Sequence, residues 1–310
     1  MPGLRVSLFG KFRAERDDLP IAGLAARKVQ ELFAYLLIHC TRPHPREALA
    51  TLLWADTSTA QSKSYLRKAL WLLQSALDGP EGPLLHVDLE WVQVHPSADF
   101  WLDVARFEQA YALISGFPGE QLSDAQLRAA EEAVALYGGD LLEGSYQEWC
   151  LYERERLQMA YLALLDKLMA ACEARGLYEQ GIGYSTAILR HDCAREQTHR
   201  RLMRLHYLAG DRSAAMRQYE RCAAALRREL SVEPTEATAA LYRRICASQP
   251  LEAAPTAPGL SAGALLERLR QMQADLDAFH QQLQASLATA IGALSAAEQG
   301  GSAGNDTRAQ

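Results

Sequence analysis

Apolar and polar positions change period several times along the first hundred residues. Between residues 4 and 14, Leu4, Val6 and Leu8 alternate with Arg5 and Ser7, and Gly10 interrupts the run. That pattern predicts two short strands joined by a tight turn. Asp17, Asp18 and Pro20 mark a second turn before a third strand at Ile21. The period then becomes helical. Val29, Leu32, Phe33, Leu36 and Leu37 give one inward face to a helix over 27–40, which Pro43 and Pro45 end. A short helix over 46–54 buries Leu49, Leu52 and Leu53, with Trp54 beside them in the core. Asp56, Thr57, Ser58 and Thr59 offer turn and cap oxygens for a third helix. There, Leu66, Ala69, Leu70, Leu73 and Leu77 share one face of a 3.6-residue period. Gly79, Pro80, Gly82 and Pro83 break the chain, and the stretches 84–87 and 91–94 read as a hairpin. Strands, three helices and a hairpin are the order of a winged helix-turn-helix, placed at 1–97.

From residue 99 the helical period holds. Amphipathic segments run over 100–114, 124–137 and 149–176. Gly176 and Gly210 then recur 34 residues apart, as do the small residues Gly181 and Ala215. This is the period of tetratricopeptide repeats, stacked helix pairs with a shared core. The fold expected is therefore mostly α: an α+β winged helix-turn-helix, then an all-α TPR-like helical repeat domain at 98–247. A Pro- and Ala-rich linker occupies 248–263. Beyond it Leu265, Leu269, Met272, Leu276, Phe279 and Leu283 step by four and three, a coiled-coil seam within a helix at 264–296. The seam predicts a homodimer through this helix; docking back onto the repeats is the alternative. Residues 297–310 read as a disordered tail.

Charge adds the candidate chemistry. The 310 residues carry 38 acidic and 32 basic side chains, a net charge of −6, which argues against a protein that coats nucleic acid or membrane throughout. The third helix is an exception, with no acid between Asp56 and Asp78. Its outer face holds Lys63, Ser64, Arg67, Lys68, Trp71 and Gln74. Such a face is either simply solvated or suited to a groove lined by phosphates and base edges. Arg42 and Arg46, flanking the turn into the second helix, are candidate phosphate contacts. His86 and Gln93 are candidates in the wing. The six cysteines are scattered without a CxxC pair, as in a reduced cytoplasmic protein. Neither a signal peptide nor a membrane-length apolar run is expected. No nucleophile elbow, phosphate loop or metal-ligand spacing stands out, so no enzyme and no cofactor are expected.

The segments YGGDLLEGSYQEWCLYERERLQMAYLALLDKL and RLMRLHYLAGDRSAAMRQYERCAAALRRELSVEPTEATAALYRRI resemble the bacterial transcriptional activator domain. In SARP-like regulators that domain accompanies an OmpR-type winged helix, and LRVSLFGKFRA, RKVQELFAYLL, LLW and YLRKALWLLQSAL agree with one. The resemblance covers residues 4–247. It implies a sequence-specific regulator of transcription that binds double-stranded DNA at direct repeats and contacts RNA polymerase. Leu72, Gln74 and Ser75 stand where the family's recognition helices often carry arginine. Neither a receiver domain nor a Walker-type segment is expected. A contrasting reading of the residues is a helical-repeat adaptor or small-molecule sensor whose winged helix mainly contacts protein.

Overall fold

A computed structural model describes residues 3–77 and 82–251, which fall within one compact unit, 1–254; the heptad seam from Leu265 to Leu283 lies outside the described residues. The N-terminal strands are β1 (Leu4–Ser7), β2 (Arg13–Arg16) and β3 (Leu19–Pro20). Three helices follow, α1 (Arg27–Ile38), α2 (Arg46–Leu53) and α3 (Thr59–Leu77). Between α1 and α2 the pair His44–Pro45 forms β4, and β5 (Leu85–Val87) and β6 (Trp91–Val94) make the hairpin. The wing is a three-stranded sheet in the order β4-β6-β5, with His44 opposite Val92 and Leu85 opposite Val94. The winged helix expected from the alternating pattern is present. β4 was not expected: its two residues include Pro45, and proline is tolerated at a sheet edge, where its missing donor faces outward.

The larger difference lies at residues 100–102. The sequence reading starts a helix at residue 100, but Phe100–Leu102 is a strand, β7. It pairs parallel with β1, Leu4 opposite Phe100 and Val6 opposite Leu102, so the first sheet runs β3-β2-β1-β7. β1 would otherwise present an unpaired edge. The Arg5 guanidinium lies 4.1 Å from the ring centroid of Trp101, its partner in the register. Helix α4 (Asp103–Ser115) begins only after this strand.

The remaining elements are helical: α5 (Asp124–Leu136), α6 (Glu148–Ala174), α7 (Tyr178–His191), α8 (Glu196–Leu208), α9 (Arg212–Leu230) and α10 (Glu236–Cys246). The 34-residue period is visible in the backbone. Gly176 and Gly210 both adopt left-handed φ, 71° and 87°. The next amides, Leu177 and Asp211, each donate at 2.9 Å across the helix end, to the Cys172 and His206 carbonyls. These are two copies of one glycine-dependent helix stop. A Cβ on Gly181 would sit 3.1 Å from Leu205, and its counterpart Ala215 is fully buried, so small residues recur where helices pack closely.

The winged helix and the helical repeats share a continuous core. The backbone of residues 8–10 clips onto the loop before α6. Gly10 donates to the Asp140 carbonyl at 2.8 Å, and Leu142 donates to Leu8 at 2.9 Å. Arg154 holds that loop from α6, donating to the carbonyls of Leu141 at 2.9 Å and Ser145 at 3.1 Å. Three positions one turn apart along α1 and its C-cap meet three spaced alike from the preceding loop into α6. Ser145 donates to Glu31 at 2.8 Å, Tyr35 meets Trp149 edge-on at 5.2 Å, and His39 lies 3.8 Å from the Glu153 carboxylate.

Candidate nucleic-acid interface

α2, a turn over residues 54–58 and α3 form the helix-turn-helix. On α3 the apolar residues Leu66, Ala69, Leu70, Leu73 and Leu77 are all buried, which fixes the opposite face outward. Thr57 and Ser62 hydroxyls donate to the Trp54 and Thr59 carbonyls, 3.0 Å each, and shape the turn and first helical turn. Trp54, read as core, is half-buried, its ring 6.3 Å from that of Tyr65.

Lys63, Ser64, Arg67, Lys68 and Trp71 are exposed, while Gln74 is half-buried. The lysine is engaged. Its Nζ donates to the Glu47 carboxylate on α2 at 2.5 Å, and that bond holds the Glu47 carboxyl below its ordinary pKa. Arg67 and Lys68 have no ion pair or side-chain hydrogen bond among the described residues. Trp71 is 63% exposed, so it does not pack under the wing. Arg42 is exposed on the turn before β4.

Arg46 is placed differently from a free phosphate anchor. Its guanidinium donates to the Asp88 carbonyl at 2.7 Å, and its backbone amide donates to the Glu90 carbonyl at 2.8 Å. Both acceptors are at the tip of the wing. Asp88 in turn accepts from the Glu90 and Trp91 amides, which hold its carboxyl below the ordinary value. The tip presents Leu89, 94% exposed, with Trp91 beside it. His86 is exposed and Gln93 half-buried in the hairpin strands. Tyr65, Leu89 and Trp91 were absent from the sequence-based candidates. Tyr65 falls within the acid-free stretch and was legible there, whereas Leu89 and Trp91 depended on the hairpin register.

Elsewhere the candidate chemistry dissolves into packing. Among the described residues no group of three His, Cys, Asp or Glu side chains converges on a point that suits a metal. All six cysteines are free thiols. His199 is buried, its Nε2 2.9 Å from the Cys193 carbonyl.

Residues 102–246 match the family model described as "Bacterial transcriptional activator domain". The chain carries a bacterial transcriptional activator domain. This bears out the family resemblance carried by the YGGDLLEGSYQEW and RLMRLHYLAGDRSAA stretches. The activator domain begins at Leu102, the last residue of β7, and ends at Cys246, the last of α10. The matched model describes a domain of transcriptional activators. No curated protein matches the chain. Among solved structures it resembles one described as "Mycobacterium tuberculosis EmbR in complex with low affinity phosphopeptide". The TM-score is 0.62 at 22% identity, covering 86% of this chain and 71% of that one. At that identity the likeness concerns the fold alone. Among the described residues no helix is long and apolar enough to cross a membrane.

Proposed function

We propose that the chain is a sequence-specific activator of transcription that inserts α3 into the major groove of double-stranded DNA. Arg67 and Lys68 reach bases or phosphates, Ser64, Trp71 and Gln74 complete the contact face, and Arg42 touches the backbone. Lys63 exchanges Glu47 for phosphate on binding. The observation that carries this reading is the pair of unpartnered cations, Arg67 and Lys68, on an outward face without a carboxylate. The rest of the chain is acidic, which keeps the attraction local. Arg46 serves by holding the wing against the start of α2.

The activator domain contacts RNA polymerase from direct-repeat sites near a promoter, in the cytoplasm, with no cofactor. The heptad positions Leu265, Leu269, Met272, Leu276, Phe279 and Leu283 pair two chains, so that the second DNA contact becomes intramolecular. Gel-shift titration against the DNA upstream of the protein's own gene, at two salt concentrations, tests the DNA reading. A retarded complex that weakens as salt rises supports it. No specific complex at either salt, with a folded protein, sends the reading back to a protein-binding adaptor. Light scattering on the full chain and on a chain ending at residue 250 tests the pairing, which fails if both are monomers at micromolar concentration.

A further inference from the structure

A second cationic surface lies far along the chain from α3. Between α7, α8 and α9 there is a cavity of about 420 Å³. Arg190, Arg221 and Arg228 line it, Leu189, Leu202 and Ala225 supply apolar lining, and no Asp or Glu is among its lining residues. Arg228 is neutralised by Glu229 at 2.8 Å. Arg190 pairs with no carboxylate among the described residues, and Arg221 makes one weak contact, 3.5 Å to the Gln218 oxygen.

That weak contact ends a buried relay that orients the site. His199 Nε2 lies 2.9 Å from the Cys193 carbonyl, so this nitrogen carries the proton. Nδ1 must then accept, and the Gln218 amide nitrogen donates to it at 2.6 Å. The Gln218 oxygen is thereby turned to Arg221. Burial holds His199 below its ordinary pKa, which keeps the ring in the neutral form this relay needs. Arg217, Arg221 and Arg228 fall at offsets of four and eleven on one face of α9, of which Arg221 and Arg228 line the cavity.

Two guanidiniums without a counter-charge beside an apolar floor suit a ligand with both properties. A carboxylate meets a guanidinium in bidentate fashion, and a leucine-sized side chain fills a pocket walled by Leu and Ala. The apolar residues in the lining favour a peptide side chain over a nucleic-acid backbone, which offers phosphate and sugar but no aliphatic group to bury. We propose that the groove binds an acidic segment of a partner protein, carboxylates on Arg190 and Arg221 and an intervening apolar side chain on Leu189 and Leu202. This site is independent of the α3 face and does not rest on the DNA-binding reading.

The test uses the full chain and a fluorescein-labelled twelve-residue peptide in which leucine alternates with aspartate and glutamate. Anisotropy should rise to saturation with this peptide and stay flat with a counterpart carrying lysine for each acid. Arg190→Ala combined with Arg221→Ala should weaken binding at least about tenfold. Arg190→Glu with Arg221→Glu should transfer binding to the lysine peptide. Circular dichroism and the gel shift should be unchanged in both variants, since these arginines are exposed and lie outside α3. A flat response to the acidic peptide overturns the proposal, as does equal binding by the double alanine variant. Displacement of the peptide by random-sequence duplex DNA assigns the groove to nucleic acid instead and overturns it too.

Discussion

Asp103 closes the joint between the first sheet and the start of α4, where the winged helix meets the activator domain. It is the first residue of α4 and is only 3% exposed. One carboxylate oxygen accepts the amides of Leu8 at 2.8 Å and Phe9 at 3.0 Å, as the chain leaves β1. The other accepts the Val104 amide at 2.8 Å. Leu8, Phe9 and Val104 are all buried, so their amides are shielded from bulk water. Asp103→Ala orphans the Leu8 and Phe9 donors at about 1–3 kcal/mol each, a loss of about 2–6 kcal/mol. Asp103→Asn retains one acceptor oxygen and should fall between the two. Urea unfolding of the full chain, followed by tryptophan fluorescence, reads the difference if the m-value is unchanged. The pH dependence has a definite sign. Burial raises the Asp103 carboxyl above its ordinary 3.8, only partly offset by the amides of Phe9, Leu8 and Val104. As pH falls towards 3.8 the folded chain takes up this proton first. Asp103 therefore makes the fold relatively more stable on the acid side of that window and less so above it. An alanine variant within 1 kcal/mol of the parent would refute the assignment of Asp103 as the clasp of the joint.

Arg67→Ala and Lys68→Ala should each weaken specific DNA binding by about 1–3 kcal/mol where they reach bases, or uniformly across sequences where they touch phosphate. Unchanged affinity of the double variant, with native circular dichroism, removes α3 from the interface. Arg46→Ala separates two roles by the slope of log affinity against log salt. A wing-positioning arginine lowers affinity and leaves the slope intact, whereas a phosphate contact reduces it by about one. Burial holds His39, His44, His199 and His206 below their ordinary 6.5. The unfolded chain therefore takes up these protons first, and stability should fall as pH drops from 6.5 through the folded values. A melting temperature flat between pH 7 and pH 5, with His199→Gln behaving like the parent, would contradict that.

What could be read in the sequence was local. The α3 face follows from a 3.6-residue period and an absence of acid, and both are properties of adjacent residues. The helix pairs were legible because glycine recurs where the backbone turns left-handed, at Gly176 and Gly210. Phe100–Leu102 was misread as helix because its strand character comes from a partner almost a hundred residues earlier, Leu4 to Val6. Three consecutive apolar residues carry no period that separates strand from helix. β4 fails for the same reason, since two residues become a strand only beside Val92 and Trp91. Arg46 was read as a phosphate contact from charge and position. Its placement depends on the Asp88 and Glu90 carbonyls, which no side-chain pattern announces.

The parallel pairing of β7 with β1 changes what counts as the winged helix. Residues 1–97 contain every predicted DNA contact, yet a chain cut there loses the strand that covers β1. It also loses Asp103, which satisfies the Leu8 and Phe9 amides, and Phe107, whose ring meets Phe9 at 5.4 Å. On the other side of the joint, α1 packs in the core with α3 and presents Glu31, Tyr35 and His39 to Ser145, Trp149 and Glu153. A force on α3 reaches α6 through a single helix layer with no linker between. Binding energy at the proposed DNA face is then not spent on ordering one domain against another. If α3 enters a groove as proposed, its direction of entry sets the direction in which the activator domain points. Under the proposed DNA-binding role, the shared core predicts that activation depends on the angular position of the site around the duplex, which moving a bound site by half a helical turn in a transcription assay would test.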